Sequence, residues 1–152
     1  MEMSGEYRID APIDEVWAAL NDVEVLKICI PGCEELEKTS DTEMTAKVAL
    51  KIGPVKARFK GAVSFENITP PKGYSIVGEG QGGIAGFAKG GADVQLVEDA
   101  GATILTYQAK AQVGGKMAQL GSRLIKSTSA KLADKFFKNF RDALAAEEMP
   151  AE

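Results

Sequence analysis

The sequence predicts one α+β domain in which a curved antiparallel sheet wraps around a long C-terminal helix. Three observations support this prediction: apolar residues alternate with period two through the middle of the chain, they recur every four residues near the C-terminus, and no second unit or linker separates these regions. With 152 residues the chain has the length of a single domain. We expect residues 1–146 to form it and residues 147–152 to be a flexible tail.

The N-terminal part predicts a short strand followed by two short helices. Residues 3–9 alternate as a strand, and "DAPIDEVWAAL" places Val16, Trp17 and Leu20 on one helical face. The segment "DVEVLKICIPG" predicts a second helix, which stops before Pro31 because a residue preceding proline disfavours helical geometry.

The middle of the chain predicts an antiparallel meander. Residues 44–52 and 55–65 alternate between apolar and polar positions on either side of Gly53-Pro54, which is typical of a long hairpin with one buried face. Further strands are predicted at 74–79, 92–98 and 103–113.

The C-terminal part predicts one amphipathic helix from Lys116 to about Ala146, roughly 45 Å long. This stretch contains no proline and a single glycine. We expect the first part of its apolar stripe to border a cavity and the last part to plug the far end against Trp17 and Leu20. The first group is Met117, Leu120, Leu124 and Thr128, and the second is Phe136, Phe137 and Phe140.

The glycine run "GEGQGGIAGFAKGG" places Gly78, Gly80 and Gly83 at G-x-G-x-x-G spacing. A dinucleotide loop is excluded because the glycines lead into another strand and not into a helix whose N-terminus could meet a pyrophosphate. The later "GGK" at 114–116 lacks both the first glycine and the Ser/Thr of a phosphate loop.

Two interpretations of the glycine run remain open. Glycines mark bends in a sheet that curls around a helix, or, together with alanines, they leave space for an apolar ligand. In the second case Tyr107 and Thr128 would be its polar contacts. The residues expected to line such a cavity are Phe59, Val63, Gly83, Phe87, Leu105, Tyr107, Met117, Leu120, Leu124 and Thr128.

Composition excludes several functional classes. The chain has no histidine, which removes Ser-His and Cys-His nucleophile pairs, and Cys29 and Cys33 have neither zinc nor redox spacing, so we expect structural thiols and no metal site. The net charge of −4 argues against nucleic-acid binding. Since neither a signal peptide nor a membrane-spanning run is apparent, we expect a cytoplasmic protein.

Charge is unevenly distributed along the chain. The first 43 residues hold twelve acidic and three basic residues, whereas residues 44–65 hold five basic residues and no acidic one. Alternation places these five on the outward face of the hairpin, either as a solvated surface or as a docking surface for anionic lipid or an acidic partner. The predicted docking residues are Lys47, Lys51, Lys56, Arg58 and Lys60.

Four segments together resemble one family: "IPGCEELE", "IGPVKARFKGAVSFE", "GEGQGGIAGFAKGGADVQLVE" and above all "VGGKMAQLGSRLIKSTSAKLADKFFKNF". Their order resembles the helix-grip fold of START/Bet v 1-like (SRPBCC) proteins, with a strand, two short helices, six strands and a long helix. Within that superfamily the chain resembles the G-subunit family of carbon monoxide dehydrogenase.

The resemblance implies a non-catalytic accessory protein of a molybdenum-containing carbon monoxide dehydrogenase or a related hydroxylase. It implies that the protein recruits the enzyme to the inner face of the cell membrane and has a cavity suited to a quinone-like molecule. We expect no tightly bound cofactor, and the family offers no catalytic residues that could be assigned to positions in this chain. Longer members of the family look as if they carry an extra C-terminal segment that could attach to a membrane, and we expect no such anchor here. There are two alternatives: a docking module without a ligand, and an enzyme of the same fold such as a cyclase or hydratase.

Overall fold

The computed structural model describes residues 1–148, and they form a seven-stranded antiparallel sheet with three helices. Of the predicted tail at 147–152, residues 149–152 lie outside the described residues. The strands are β1 (Glu2–Ile9), β2 (Cys33–Ser40), β3 (Glu43–Ile52), β4 (Val55–Thr69), β5 (Gly73–Gln81), β6 (Phe87–Asp99) and β7 (Ala102–Gly114). The helices are α1 (Ile13–Leu20), α2 (Val23–Cys29) and α3 (Ser122–Glu148).

The sheet is an open meander to which the N-terminal strand is added at one edge. Its order is β1-β7-β6-β5-β4-β3-β2, so each strand from β2 to β7 pairs with its neighbour in sequence and β1 returns to pair with β7. The period-two pattern is confirmed, because the apolar residues of β3 from Met44 to Ile52 are buried or half-buried while the alternate residues are exposed.

The long C-terminal helix begins later than predicted. Residues Gly115–Leu120 form a 3₁₀ turn, and α3 starts only at Ser122. Gly121 separates the two with φ +87° and ψ 151°, a backbone conformation that is essentially limited to glycine. Met117 and Leu120 therefore lie on the 3₁₀ turn and not on the helix.

Two hydrophobic cores lie on the inner face of the sheet, and only the large one includes residues of α3. The large core joins α1, α2 and the C-terminal half of α3 to the sheet, and its most deeply buried members are Ile9, Val16, Cys29, Leu105 and Phe140. The small core lies at the opposite end, under the β3–β4 turn and the β5–β6 connection. It consists of Val55, Phe59, Ala85 and Met117, with Leu50, Ile52, Ala57, Val113 and Leu120 packed against it.

Helix α3 is held against the rest of the molecule at both of its ends. Near its start, Leu124 packs on the β3–β4 turn, where a Cβ at Gly53 would lie 2.8 Å from Leu124 Cδ2. Farther along, the Asn139 side-chain amide donates to the carbonyl oxygen of Cys29 at 3.1 Å, which joins α3 to α2. Helix α2 is itself capped by Asp22, whose carboxylate accepts from the backbone N–H of Glu24 at 2.9 Å.

Candidate ligand-binding cleft

The space between the two cores is open to solvent. On α3, Ile125 and Phe137 are both 8% exposed, whereas the inward residues between them are only half-buried. If α3 packed directly on the sheet here, these helix residues and the sheet residues that face them would be fully buried. The half-buried helix residues are Thr128, Ser129, Leu132 and Ala133.

The sheet surface opposite this part of α3 carries mostly small side chains. A Cβ at Gly80 would have only the Lys60 carbonyl oxygen within 4 Å, at 3.9 Å, and one at Gly61 only the Glu79 carbonyl oxygen, at 3.4 Å. No atom of α3 lies within 4 Å of a Cβ at either position. The half-buried inward residues of the sheet are Gly61, Val63, Gly78, Gly80, Ala92, Ala109 and Ala111. Together with the helix residues above, they define the cleft.

Two tyrosines form the end of the cleft next to the large core. The Tyr7 ring stacks on Phe137 with centroids 4.1 Å apart, and its hydroxyl donates to Asp134 Oδ1 at 2.7 Å. The Tyr107 ring is parallel to that of Tyr7 and crosses Gly5 on β1, where a Cβ would lie 2.6 Å from Tyr107 Cε1. Gly5 therefore leaves the room that this ring occupies.

Both hydroxyls stay protonated at neutral pH. Burial raises the pKa of Tyr7, and the hydrogen bond to Asp134 raises it further. Burial also raises the pKa of Tyr107, with a smaller contribution from the negative charge of Asp134. This end of the cleft thus offers neutral hydrogen-bonding groups beside aromatic rings.

Of the ten predicted cavity residues, the structure places three at the cleft. Val63 and Thr128 line it, and Tyr107 lies at its end. Phe59, Met117 and Leu120 belong to the small core, which closes the opposite end. Leu124 packs on the β3–β4 turn. Leu105, 1% exposed, lies inside the large core and has little surface left for a ligand.

Two predicted cavity residues, Gly83 and Phe87, lie outside the space between sheet and helix. Gly83 is exposed in the 3₁₀ turn Gly83–Ala85, so it does not face the helix together with the other small residues of the glycine run. Phe87 starts β6 with its side chain on the outer face, because Ala88 and not Phe87 has the inward parity, and its ring covers Gly114.

The aromatic residues predicted to plug the far end do meet there. Phe137, Phe140 and Leu20 are buried in the large core, and Trp17 and Phe136 pack against it. Sequence reasoning missed Tyr7 and Asp134, whose hydrogen bond joins residues 127 positions apart. The only signal in the sequence was the alternation of residues 3–9, which directs the Tyr7 side chain to the inner face of the sheet.

The predicted docking surface is exposed on the outer face but is divided by ion pairs. Lys47 Nζ lies 3.3 Å from Glu35 Oε2, and Arg58 Nε lies 2.9 Å from Glu34 Oε1. The edge strand β2 thus neutralises part of this surface. Lys51, Lys56 and Lys60 form no ion pair with any residue from 1 to 148.

Neither cysteine pairs, and no metal site is evident in the described part of the chain. Cys29 is buried and Cys33 half-buried, and burial raises the pKa of both thiols. Among residues 1–148, no group of three or more Cys, Asp or Glu side chains could hold a metal ion. Every helix within the same residues is too short or too polar to cross a bilayer.

Comparison with known proteins supports the same fold and a specific family. The family described as the G subunit of carbon monoxide dehydrogenase (CoxG) matches residues 5–145. A conserved protein from Geobacillus kaustophilus is similar at 30% identity and a TM-score of 0.91, over 96% of each chain. Among curated proteins, none matches the sequence.

More distant structures share the fold alone. A START superfamily protein from Mycobacterium smegmatis is 12% identical with a TM-score of 0.73, covering 95% of this chain and 97% of that chain. Ara h 8.0201 is 13% identical with a TM-score of 0.66, covering 96% of this chain and 98% of that chain. The START/Bet v 1-like fold predicted from the sequence is thereby confirmed.

Proposed function

Because the chain belongs to the CoxG family of carbon monoxide dehydrogenase, we propose that it is a non-catalytic accessory protein that binds a quinone- or lipid-like molecule in the cleft. The enzyme served would be a molybdenum-containing carbon monoxide dehydrogenase or a related hydroxylase, and the protein would aid its recruitment to the membrane. The observation that carries the proposal is the open, small-residue space between two packed cores.

The free energy for binding would come from apolar burial. Val63 and Ala109 on the sheet and Leu132 on the helix present aliphatic surface to the cleft. Burying roughly 200 Å² of apolar ligand surface against them corresponds to about 5 kcal/mol before the cost of immobilising the ligand. A ring system of quinone size is suited to such a space, and a long isoprenoid tail would extend from it.

Orientation would come from the polar groups at the cleft. Tyr107 and Thr128 can each donate a hydrogen bond to a carbonyl oxygen. The proton of Tyr7 is directed to Asp134, so this residue would act by holding the neighbouring aromatic surface in place. A quinone carbonyl at the tyrosine end would place its ring against small side chains of the sheet.

The test is uptake of menadione, a tailless quinone, by the purified ligand-free protein, followed by equilibrium dialysis and absorbance. We expect saturable uptake near one molecule per chain. Gly80→Leu fills the cleft and should lower the affinity at least tenfold, because Gly80 has free space ahead of its Cα.

Ala62→Leu is the matched control. It adds apolar volume on the exposed outer face of β4 and should leave uptake unchanged. Equal losses in both variants, or no uptake by the parent protein, would contradict a ligand site in the cleft. The second outcome would favour a docking module in which unpaired Lys51, Lys56 and Lys60 contact an acidic surface of the enzyme.

A further inference from the structure

The most exposed large hydrophobic side chain of the described residues lies at one end of the molecule. Ile84, in the β5–β6 connection, is 89% exposed. The outward ring of Phe87 follows three residues later and is 36% exposed. Neither residue belongs to the cleft or to a core.

The connection that carries Ile84 is well fixed. Gly82 N–H donates to the Gly86 carbonyl oxygen at 2.8 Å, and Gly86 N–H donates to the Gly83 carbonyl oxygen at 3.0 Å. Ala85 is buried in the small core. The exposure of Ile84 is therefore a property of a hydrogen-bonded turn anchored in the core, and the side chain is held outward.

Five basic side chains surround the same end of the molecule, which we call the turn end. Lys51 and Lys56 flank the β3–β4 turn, and Lys60 lies opposite Gln81 at the start of the β5–β6 connection. Lys116 follows Gly115, whose backbone packs on Gly86, and Arg123 precedes Leu124, which packs on the β3–β4 turn. The turn end consists of Ile84, Phe87, Lys51, Lys56, Lys60, Lys116 and Arg123.

The turn end is positively charged although the protein as a whole carries a net charge of −4. The three stretches that build it, residues 44–65, 80–92 and 100–133, contain no aspartate or glutamate. Its five basic side chains are exposed and form no ion pair among residues 1–148. Acidic residues border the turn end on the outer face of the sheet, where Glu35, Glu37 and Glu79 line the same depression as Lys60, but none lies in the connection that carries Ile84. The field of the molecule therefore has a direction.

We propose that the turn end docks on an anionic lipid surface, with Ile84 inserted among the acyl chains and the basic side chains contacting lipid headgroups. A protruding aliphatic side chain surrounded by flexible cations suits a fluid headgroup layer, which accepts apolar residues below the level of the charges. An acidic protein surface would have to provide a matching pocket for Ile84. Only the role of this docking depends on the proposed function: it would give the cleft access to a ligand dissolved in the membrane.

The test is co-sedimentation of the ligand-free protein with vesicles of phosphatidylcholine containing phosphatidylglycerol, compared with phosphatidylcholine alone. We expect binding to the anionic vesicles only. Binding should weaken strongly between about 0.1 M and about 1 M salt, as the Debye length shortens from about 10 Å to about 3 Å. Lys51→Ser with Lys56→Ser should lower partitioning roughly 25-fold, at about fivefold for each cation.

Ile84→Ser should lower partitioning about tenfold, as expected for loss of one inserted aliphatic side chain. Ile28→Ser is its control, since Ile28 is 72% exposed on α2, away from the turn end, and should have no effect. Ile84→Phe should restore binding.

Several outcomes would overturn the docking proposal: no binding to anionic vesicles, equal binding to neutral ones, or equal effects of Ile84→Ser and Ile28→Ser. Menadione uptake in solution, without vesicles, separates this proposal from the proposed function. Retained uptake without vesicle binding would overturn the docking surface and the proposed part in membrane recruitment, but not the ligand site. Vesicle binding without uptake would overturn only the ligand site.

Discussion

At the scale of single residues, Tyr7 connects the edge strand to the helix. Its hydroxyl donates to Asp134 while its ring stacks on Phe137, so one side chain fixes α3 against β1. The sequence predicted Tyr107 as a polar contact but could not predict Tyr7. Its partner is far along the chain, and the side chain of Asp134 is exposed in a stretch, residues 116–141, whose other charged residues are basic.

Replacing Tyr7 by phenylalanine should lower the free energy of unfolding by about 1 kcal/mol, because a hydrogen bond to a partly exposed carboxylate is lost while the ring stack remains. Urea denaturation measures this change. Tyr74→Phe is the control, since no hydrogen bond of the Tyr74 hydroxyl is found within residues 1–148, and the two variants should differ. Equal stabilities would show that the Tyr7–Asp134 contact contributes nothing.

The positions of Gly83 and Phe87 show where residue-level prediction failed. The sequence interpretation takes the small residues of the glycine run to face the helix together, whereas residues 83–85 form a short 3₁₀ turn in which Gly83 is exposed. Even-numbered residues face inward in both β5 and β6, so Phe87 lies on the outer face. Val63 and Thr128 were placed correctly on the inner surface because no irregularity separates them from the regular strand or helix around them.

At the scale of elements, the 3₁₀ turn before α3 determines where the helix meets the sheet. Apolar residues recur about every four positions from Met117 through Leu120 to Leu124, so the sequence predicted one uninterrupted helix. Gly121 breaks it, which brings Met117 into the small core and Leu124 onto the β3–β4 turn. A lone glycine in a periodic helix is usually tolerated, which is why its backbone role was not foreseen.

Gly121→Ala should destabilise the protein by about 1–3 kcal/mol. Nothing lies within 4 Å of a Cβ at this position, so the cost would come from the backbone conformation alone. Gly80→Ala is the control, because its Cβ also finds free space and no unusual φ is required. Thermal or urea unfolding compares the two, and a Gly121→Ala protein as stable as the parent would contradict the proposed break.

Strand β2 was not evident from the pattern of the residues, because "CEELEKTS" is highly charged. As an edge strand it needs little apolar surface, and charged edges also oppose aggregation. Its Glu34 and Glu35 pair with Arg58 and Lys47, which changes the predicted basic face into a mixed one. Such pairs depend on the register of β2 with β3 and could not be derived from spacing.

At the scale of the whole molecule, two packed ends hold an open middle. The large core is supplied by the helices α1 and α2 together with the C-terminal half of α3, and the small core by turns at the other end. This separation explains how a chain rich in glycine and alanine at its centre remains folded: the free energy of burial is concentrated at the two ends. The architecture was predictable from alternation and order of elements, whereas the open middle was one of two interpretations.

The measurement that tests this account most directly is methyl NMR of the protein titrated with menadione. Binding in the cleft predicts saturable shift changes at Val63, Ala92, Ala109 and Leu132, with Ile28 and Val97 on the outer surfaces unaffected. Shifts confined to the outer surfaces, or no saturable change at any methyl group, would contradict a ligand site between the sheet and α3.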